Sequence, residues 1–179
     1  MNPIISFVSQ LIGLLTIVSQ FLILAIFYLL MARDQKRLTW ISKYGLGAAL
    51  VVALSSIFGS HFYSDIAGFP PCELCWLQRL TMYVLVIVLS LAVWRKSVRL
   101  INSILPLLGF GVVVAAYQSL LQYNVISGSI CDILNTAVSC SKRYVFEFGY
   151  ITIPLMSLTA FVLMFLFVYL SKSGGKSHN

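Results

Sequence analysis

Charge is the scarcest property of this sequence. Only 9% of its 179 residues are charged, and Asp and Glu together number five, against about 25% charged residues in soluble domains. That deficit excludes an ordinary soluble protein. No polar stretch is long enough to bury a core of its own, so no soluble domain is expected beside the apolar part. Segments of about ten alternating residues, the mark of a membrane β-barrel, are missing. So are a haem attachment signature, an iron–sulfur cysteine run and a dinucleotide fingerprint, and no internal repeat is visible. The first apolar stretch lacks a basic n-region, is too long for a leader's apolar segment and has no A-x-A-like site after it. It is expected to persist as a membrane span.

What the sequence has in abundance is hydrocarbon: 60% hydrophobic residues and a mean hydropathy of +0.96. Five apolar stretches, at 4–32, 44–63, 74–94, 100–123 and 150–171, approach or exceed the ~20 residues that cross a bilayer as a helix. Unpaired backbone groups are too costly in lipid for anything but helices here. The expected fold class is therefore an all-α integral membrane protein.

The net charge of +7 is distributed as a topology signal. Arg33, Lys36, Arg37, Lys43, Arg95, Lys96, Arg99, Lys172 and Lys176 all fall on one side, whereas Lys142 and Arg143 fall on the other and Arg79 lies within a span. Basic loops mark the cytoplasmic face. The C-terminus is then inside and the N-terminus outside, and no nucleic-acid partner is expected. Trp40 and Trp94 fall near the inner interface and Trp76 near the outer one, as an aromatic belt requires. All four cysteines lie on the outer side, where disulfides persist.

Two outward loops carry the chemistry. The first leads through Pro70 and Pro71 into Cys72-x-x-Cys75, and prolines suit the start of a helix. At a helix N-terminus the first-turn N–H groups and the dipole favour thiolate, the nucleophile and leaving group of disulfide exchange. Cys72 is expected at the exposed end and Cys75 one turn deeper. A structural disulfide or half a zinc site are the bland alternatives, but the eight residues between Cys131 and Cys140 do not form a second zinc knuckle, so no metal is expected. Arg79 follows Cys75 by four residues and shares its helix face. An arginine at this depth is a functional candidate by default, with snorkelling to headgroups as the alternative.

Cys131 and Cys140, in the longer loop at 124–149, read either as a staple or as the outer half of a relay. In a relay, a soluble dithiol passes electrons to the loop pair and then to Cys72 and Cys75. Sulfur hands electron pairs on but cannot accumulate them, so an acceptor is needed. A lipid-soluble quinone is the natural one, with Arg79 holding a carbonyl oxygen. The competing reading is a membrane scaffold or transporter subunit whose cysteines only staple outer loops. His61 reads as an interfacial polar residue or a proton relay. Asp65, Glu73, Asp132 and Glu147 read as solvated loop charges, and Tyr117, Gln118 and Gln122 either as lining of an acceptor pocket or as packing and interfacial hydrogen-bonding residues.

The segments YSDIAGFPPCELCWLQRLTMY (63–83), AYQSLLQ (116–122), Cys131 with CSKRY (140–144), and FGYITIPLMSLTAF (148–161) together resemble the disulfide bond formation protein B (DsbB) family, in its BdbC-like branch. The resemblance runs from about residue 44 to 170. It implies a four-helix transmembrane bundle over 33–171, an added helix at 1–32 and a disordered cytoplasmic tail at 172–179. It implies redox disulfides Cys72–Cys75 and Cys131–Cys140. In that scheme Cys131 engages a DsbA-like thioredoxin-fold oxidase, Cys140 passes electrons to Cys72, and Cys75 with Arg79 meets ubiquinone or menaquinone in a bacterial cytoplasmic membrane. The C-x-x-C precedes the loop pair, unlike the order in the vitamin K epoxide reductase architecture. Three features depart from the family pattern: the added helix, glutamine at Gln118 where histidine is frequent, and a short loop between Cys131 and Cys140.

Overall fold

The computed structural model describes residues 3–95, 98–126, 140 and 143–175. Lys96, Cys131, Asp132, Lys142 and Lys176 lie outside the described residues. Five helices account for most of the chain: α1 Pro3–Met31, α2 Gln35–His61, α3 Glu73–Arg95, α4 Val98–Gln122 and α5 Ile153–Gly175. Each is long and apolar enough to cross a membrane, and the described residues contain no strand, only an isolated bridge between Glu147 and Ile151. The protein is an all-helical, multi-pass membrane protein.

Several boundaries differ from those read off hydropathy. α2 starts at Gln35, well before the apolar run at 44, because the Asp34 side chain accepts the Arg37 backbone N–H at 3.3 Å and caps it. Just before it, Arg33 adopts φ 51°. Its N–H reaches the Leu30 carbonyl and that of Asp34 the Leu29 carbonyl, so α1 ends in a Schellman turn and α2 follows at once. α4 ends the same way at Asn124, φ 55°, a residue that tolerates this conformation. The C-terminal end of α2 runs on into one π-helical turn, Phe62–Ile66, beyond the apolar stretch that ends at residue 63. Pro106 lies inside α4, not at its start; it has no N–H to offer the Asn102 carbonyl. α5 extends to Gly175, so the first residues of the expected disordered tail are helical.

α5 is the most enclosed helix and packs on α2, α4 and α1, while α3 packs on α4 and α2. Lipid is as apolar as these side chains, so close fit holds such a bundle together. Two glycines permit it. A Cβ at Gly45 would stand 2.7 Å from the Phe167 carbonyl oxygen, and one at Gly111 would overlap the Phe161 ring. Leu85, Leu89, Ile104, Leu108, Phe161 and Met164 fill the middle of the bundle. That rigid core leaves the polar chemistry at one end, where α3 begins and α2 and α4 finish.

Candidate active site

Cys72 caps α3: its carbonyl accepts the Trp76 N–H at 3.0 Å, and Glu73 occupies the first turn, where negative charge suits the helix dipole. The two-residue spacing then brings Cys75 one turn on, with its sulfur 2.8 Å from that of Cys72 and both present as thiols. Pro70 and Pro71 set the approach and line a small cavity of 60 Å³ with both sulfurs and Cys140.

One expectation is reversed. Cys72 is not exposed; it retains 5% of its accessible surface. The reason is long-range: Cys140, from the segment between α4 and α5, packs into one buried cluster with Cys72, Leu74 and Leu121. Hydrogen bonding to Cys75 and then burial hold the Cys72 thiol above the usual cysteine range. Cys140 is disulfide-bonded; Cys131 lies outside the described residues. Contact between residue 140 and the first dithiol is thus built into the fold.

Gln118 completes the sulfur site from α4. Its Nε2 lies 3.1 Å from the Cys72 sulfur and 3.1 Å from the Cys75 sulfur. Its Oε1 accepts from Gln78 Nε2 at 2.6 Å, which turns the amide nitrogen toward the sulfurs. Both glutamines are buried. Of the other α4 candidates, Tyr117 packs beside the cysteine cluster, and Gln122 lines the smaller cavity.

Arg79 also turns inward, so it does not snorkel. Nε donates to Ser60 Oγ and Nη2 to the Ser60 carbonyl, each at 3.0 Å, and the guanidinium lies 5.4 Å from the centre of the Trp76 ring. Among the described residues no carboxylate forms an ion pair with it. Arg79 shares a second cavity, of 360 Å³, with Cys75, Gln78, Gln118 and Ser60. Apolar and hydroxyl side chains from α1, α2 and α5, with Tyr63 and Met82, form the rest of its wall.

His61 adjoins this site. Its Nδ1 is 2.9 Å from Asp65 Oδ2 and its Nε2 2.7 Å from the Tyr83 hydroxyl. An imidazole that donates from Nδ1 to the carboxylate accepts the tyrosine O–H at Nε2. Asp65 is therefore engaged by His61, and by Ser64 at 2.5 Å, not simply solvated. No motif marks Ser60, whose role comes wholly from the packing of α2 on α3.

A buried dithiol at a helix start, held by an amide and touching a loop cysteine, defines a membrane thiol–disulfide exchange protein. Its lineage agrees. The family profile described as Disulfide bond formation protein DsbB matches residues 42–171. The chain is 39% identical over 135 residues to "Disulfide bond formation protein C" of Bacillus subtilis, covering 74% of this chain and 94% of that one. It is 34% identical over 132 residues to "Probable disulfide formation protein C 2" of Bacillus cereus, covering 73% and 93%. No solved structure matches. The chain belongs to the DsbB family, and its general chemistry is thiol–disulfide oxidation at a membrane.

Proposed function

We propose that this protein reoxidises an extracytoplasmic, DsbA-like thioredoxin-fold oxidase and delivers the electrons to a membrane quinone, ubiquinone or menaquinone, thereby sustaining disulfide formation in exported proteins. The supporting observation is the position of the dithiol: Cys72 packs against Cys140, while Cys75 opens on the cavity that holds Arg79. One sulfur faces the incoming electrons and the other the outgoing ones.

In this scheme the partner's thiolate attacks Cys131 of a Cys131–Cys140 disulfide, forming a mixed disulfide and releasing Cys140 as thiolate. The partner's second thiol displaces Cys131 and leaves oxidised. Cys140 then attacks Cys72 of an oxidised Cys72–Cys75 pair, and Cys75 departs as thiolate. Cys131 resolves the Cys140–Cys72 bond, so the loop pair is oxidised again and the helix pair is left as two thiols. Each cycle moves two electrons and two protons onto Cys72 and Cys75. Gln118 offers N–H to both sulfurs while charge develops on them.

The large cavity fits the acceptor expected: mostly apolar walls, with Arg79, Gln118 and Ser60 gathered beside Cys75, suit a flat apolar ring carrying carbonyl oxygens. A bound quinone supplies a two-electron, two-proton sink. Arg79 would hold its oxygen by charge-assisted hydrogen bonding. A DsbA-type partner has a potential near about −120 mV, so withdrawal of its electrons needs an acceptor at least comparably oxidising or one whose reduced form is removed. We further assign residues 33–171 as the redox unit and 1–32 as an accessory helix, with the N-terminus and both cysteine loops outside a bacterial cytoplasmic membrane and the C-terminus inside.

The test is reconstitution of purified protein with a reduced thioredoxin-fold dithiol and a quinone, followed by quinone absorbance. Quinone is consumed in step with partner thiols, and a partner lacking its second thiol attacks the Cys131–Cys140 disulfide, releases Cys140 and accumulates as a mixed disulfide on Cys131. Absence of both would leave the cysteines as staples.

A further inference from the structure

The acceptor cavity has a wall that the family match does not include. α1 ends at Met31 and the match begins at residue 42, yet Ile12, Leu15, Thr16 and Ser19 of α1 line the cavity that contains Cys75 and Arg79. Resting on the quinone reading above, we propose that α1 is the tail-binding wall of this site: it holds the hydrocarbon chain of a lipid acceptor whose ring lies at Cys75 and Arg79.

The cavity is polar at one end only. Arg79, Gln118, Gln78 and Ser60 lie at the Cys75 level. Farther along, the walls carry hydroxyl groups, and five of these are spent on their own helices. Thr16 donates to the Ile12 carbonyl at 2.9 Å and Ser19 to that of Leu15 at 2.8 Å. Ser55 and Ser56 both donate to the Val52 carbonyl, at 2.9 and 2.8 Å, and Thr159 to that of Leu155 at 2.9 Å. With their protons so committed, these residues present methyl and methylene surface. From Ser60 to Val52 the α2 wall descends eight residues, or about 12 Å of helix. A polar head at one end and a hydrocarbon lining at the other match an amphiphile with a ring and an aliphatic chain.

Size and openings agree. A volume of 360 Å³ is at the small end of ligand pockets, about 300–1,000 Å³: room for a ring and the start of a chain, but not for a long isoprenoid. The remainder needs a lateral way out. α1 leans on α5 and touches α2 only sparsely, so the way out runs through the seam between α1 and α2. α1 is nonetheless held in place, by Tyr150 donating to Gln20 Oε1 at 2.7 Å and by the Phe148 ring over Gly13, where a Cβ would stand 2.9 Å from it. It is a fixed wall bordered by an open seam.

The experiment compares two probes that share one quinone ring, one without a tail and one with an isoprenoid chain. Binding to full-length protein in lipid nanodiscs is read by quenching of tryptophan fluorescence, Trp76 being packed against Arg79. Thr16→Phe and the more exposed Ser19→Phe fill the α1 side, and Thr16→Val preserves its shape. The filling variants should bind the tailed probe about tenfold or more weakly, from lost apolar contact, and the tail-less probe within about twofold of wild type; Thr16→Val should match wild type. Retention of tail-less binding also shows that a variant is folded. Equal losses for both probes, or unchanged affinity for both in the two filling variants, overturn the assignment of α1. A wild-type protein that binds neither probe removes the quinone reading itself, and the tail wall with it.

Discussion

The Gln118 amide nitrogen lies 3.1 Å from the Cys75 sulfur and at the same distance from that of Cys72, so a single neutral side chain spans the whole dithiol. Histidine in such a place could gain or lose a proton as the sulfurs change charge. Glutamine cannot; it contributes fixed N–H donors, oriented by Gln78 at 2.6 Å.

Gln118→Leu tests that arrangement. The variant deprives developing sulfur charge of its donors and should slow quinone reduction about tenfold to a hundredfold, less than the ~10²–10³ lost with an oxyanion donor in a protease, because the helix start still contributes. It should also destabilise the bundle by about 1–3 kcal/mol through the unpaired Gln78 amide. Gln118→His, which keeps a ring N–H donor at this place, should recover much of the rate. It should also add an imidazole titration to the pH profile. Pre-steady-state absorbance across pH reads both effects.

The two sulfurs should separate by function. Cys75→Ser removes the leaving group and the thiol that opens on the cavity, so quinone reduction should fall to background. Cys72 remains beside Cys140 and, by attacking the Cys131–Cys140 disulfide and releasing Cys131 as thiolate, should form a detectable Cys72–Cys140 disulfide. Non-reducing peptide mapping detects that bond. Its absence, with quinone reduction intact, would contradict the assigned order of the cysteines.

Arg79 meets Ser60 through two donors at 3.0 Å, a fork that lysine cannot reproduce. Arg79→Lys keeps the charge and should raise the KM for quinone about tenfold, with a smaller fall in kcat, whereas Arg79→Ala should lose both. Ser60→Ala frees the fork from one side-chain acceptor and leaves the Ser60 carbonyl in place. Its KM should rise only about two- to threefold, since one neutral acceptor contributes about 1 kcal/mol or less. Steady-state kinetics at varied quinone concentration resolves the series. A kcat loss without a KM change in Arg79→Lys would count against acceptor binding at this arginine.

The sequence carried the parts of this site that depend on local spacing. Cys72, Cys75 and Arg79 share one helix, and their register follows from the 3.6-residue repeat. The five spans were legible because lipid demands long apolar helices. Contacts set by helix packing were not. Ser60 is one serine among several on α2, and nothing in its neighbours marks it as the partner of Arg79. The burial of Cys72 depends on where a residue 68 positions later, Cys140, comes to rest. α2 begins at Gln35 because of the cap at Asp34, a polar signal that a hydropathy window averages away. Gln118 stood out as a polar residue in an apolar helix, but its sulfur contacts required α4 to be laid against α3.

Gly111 offers a test of the scaffold apart from the chemistry. The Phe161 ring occupies the space that a Cβ at this position would take, and Phe161 is itself fully buried between α4 and α5. Gly111→Ala therefore faces two opposing effects. Alanine favours the helix by about 0.8–1.0 kcal/mol, but a phenyl ring packed on all sides cannot retreat without moving its neighbours, an overpacking cost of about 1–3 kcal/mol. The net should be a loss of up to about 2 kcal/mol, seen as a lower midpoint in denaturant titration of the detergent-solubilised protein. Gly111→Ala combined with Phe161→Leu removes the overlap and should recover most of that loss. An additive double variant would show that Gly111 and Phe161 do not compete for the same space.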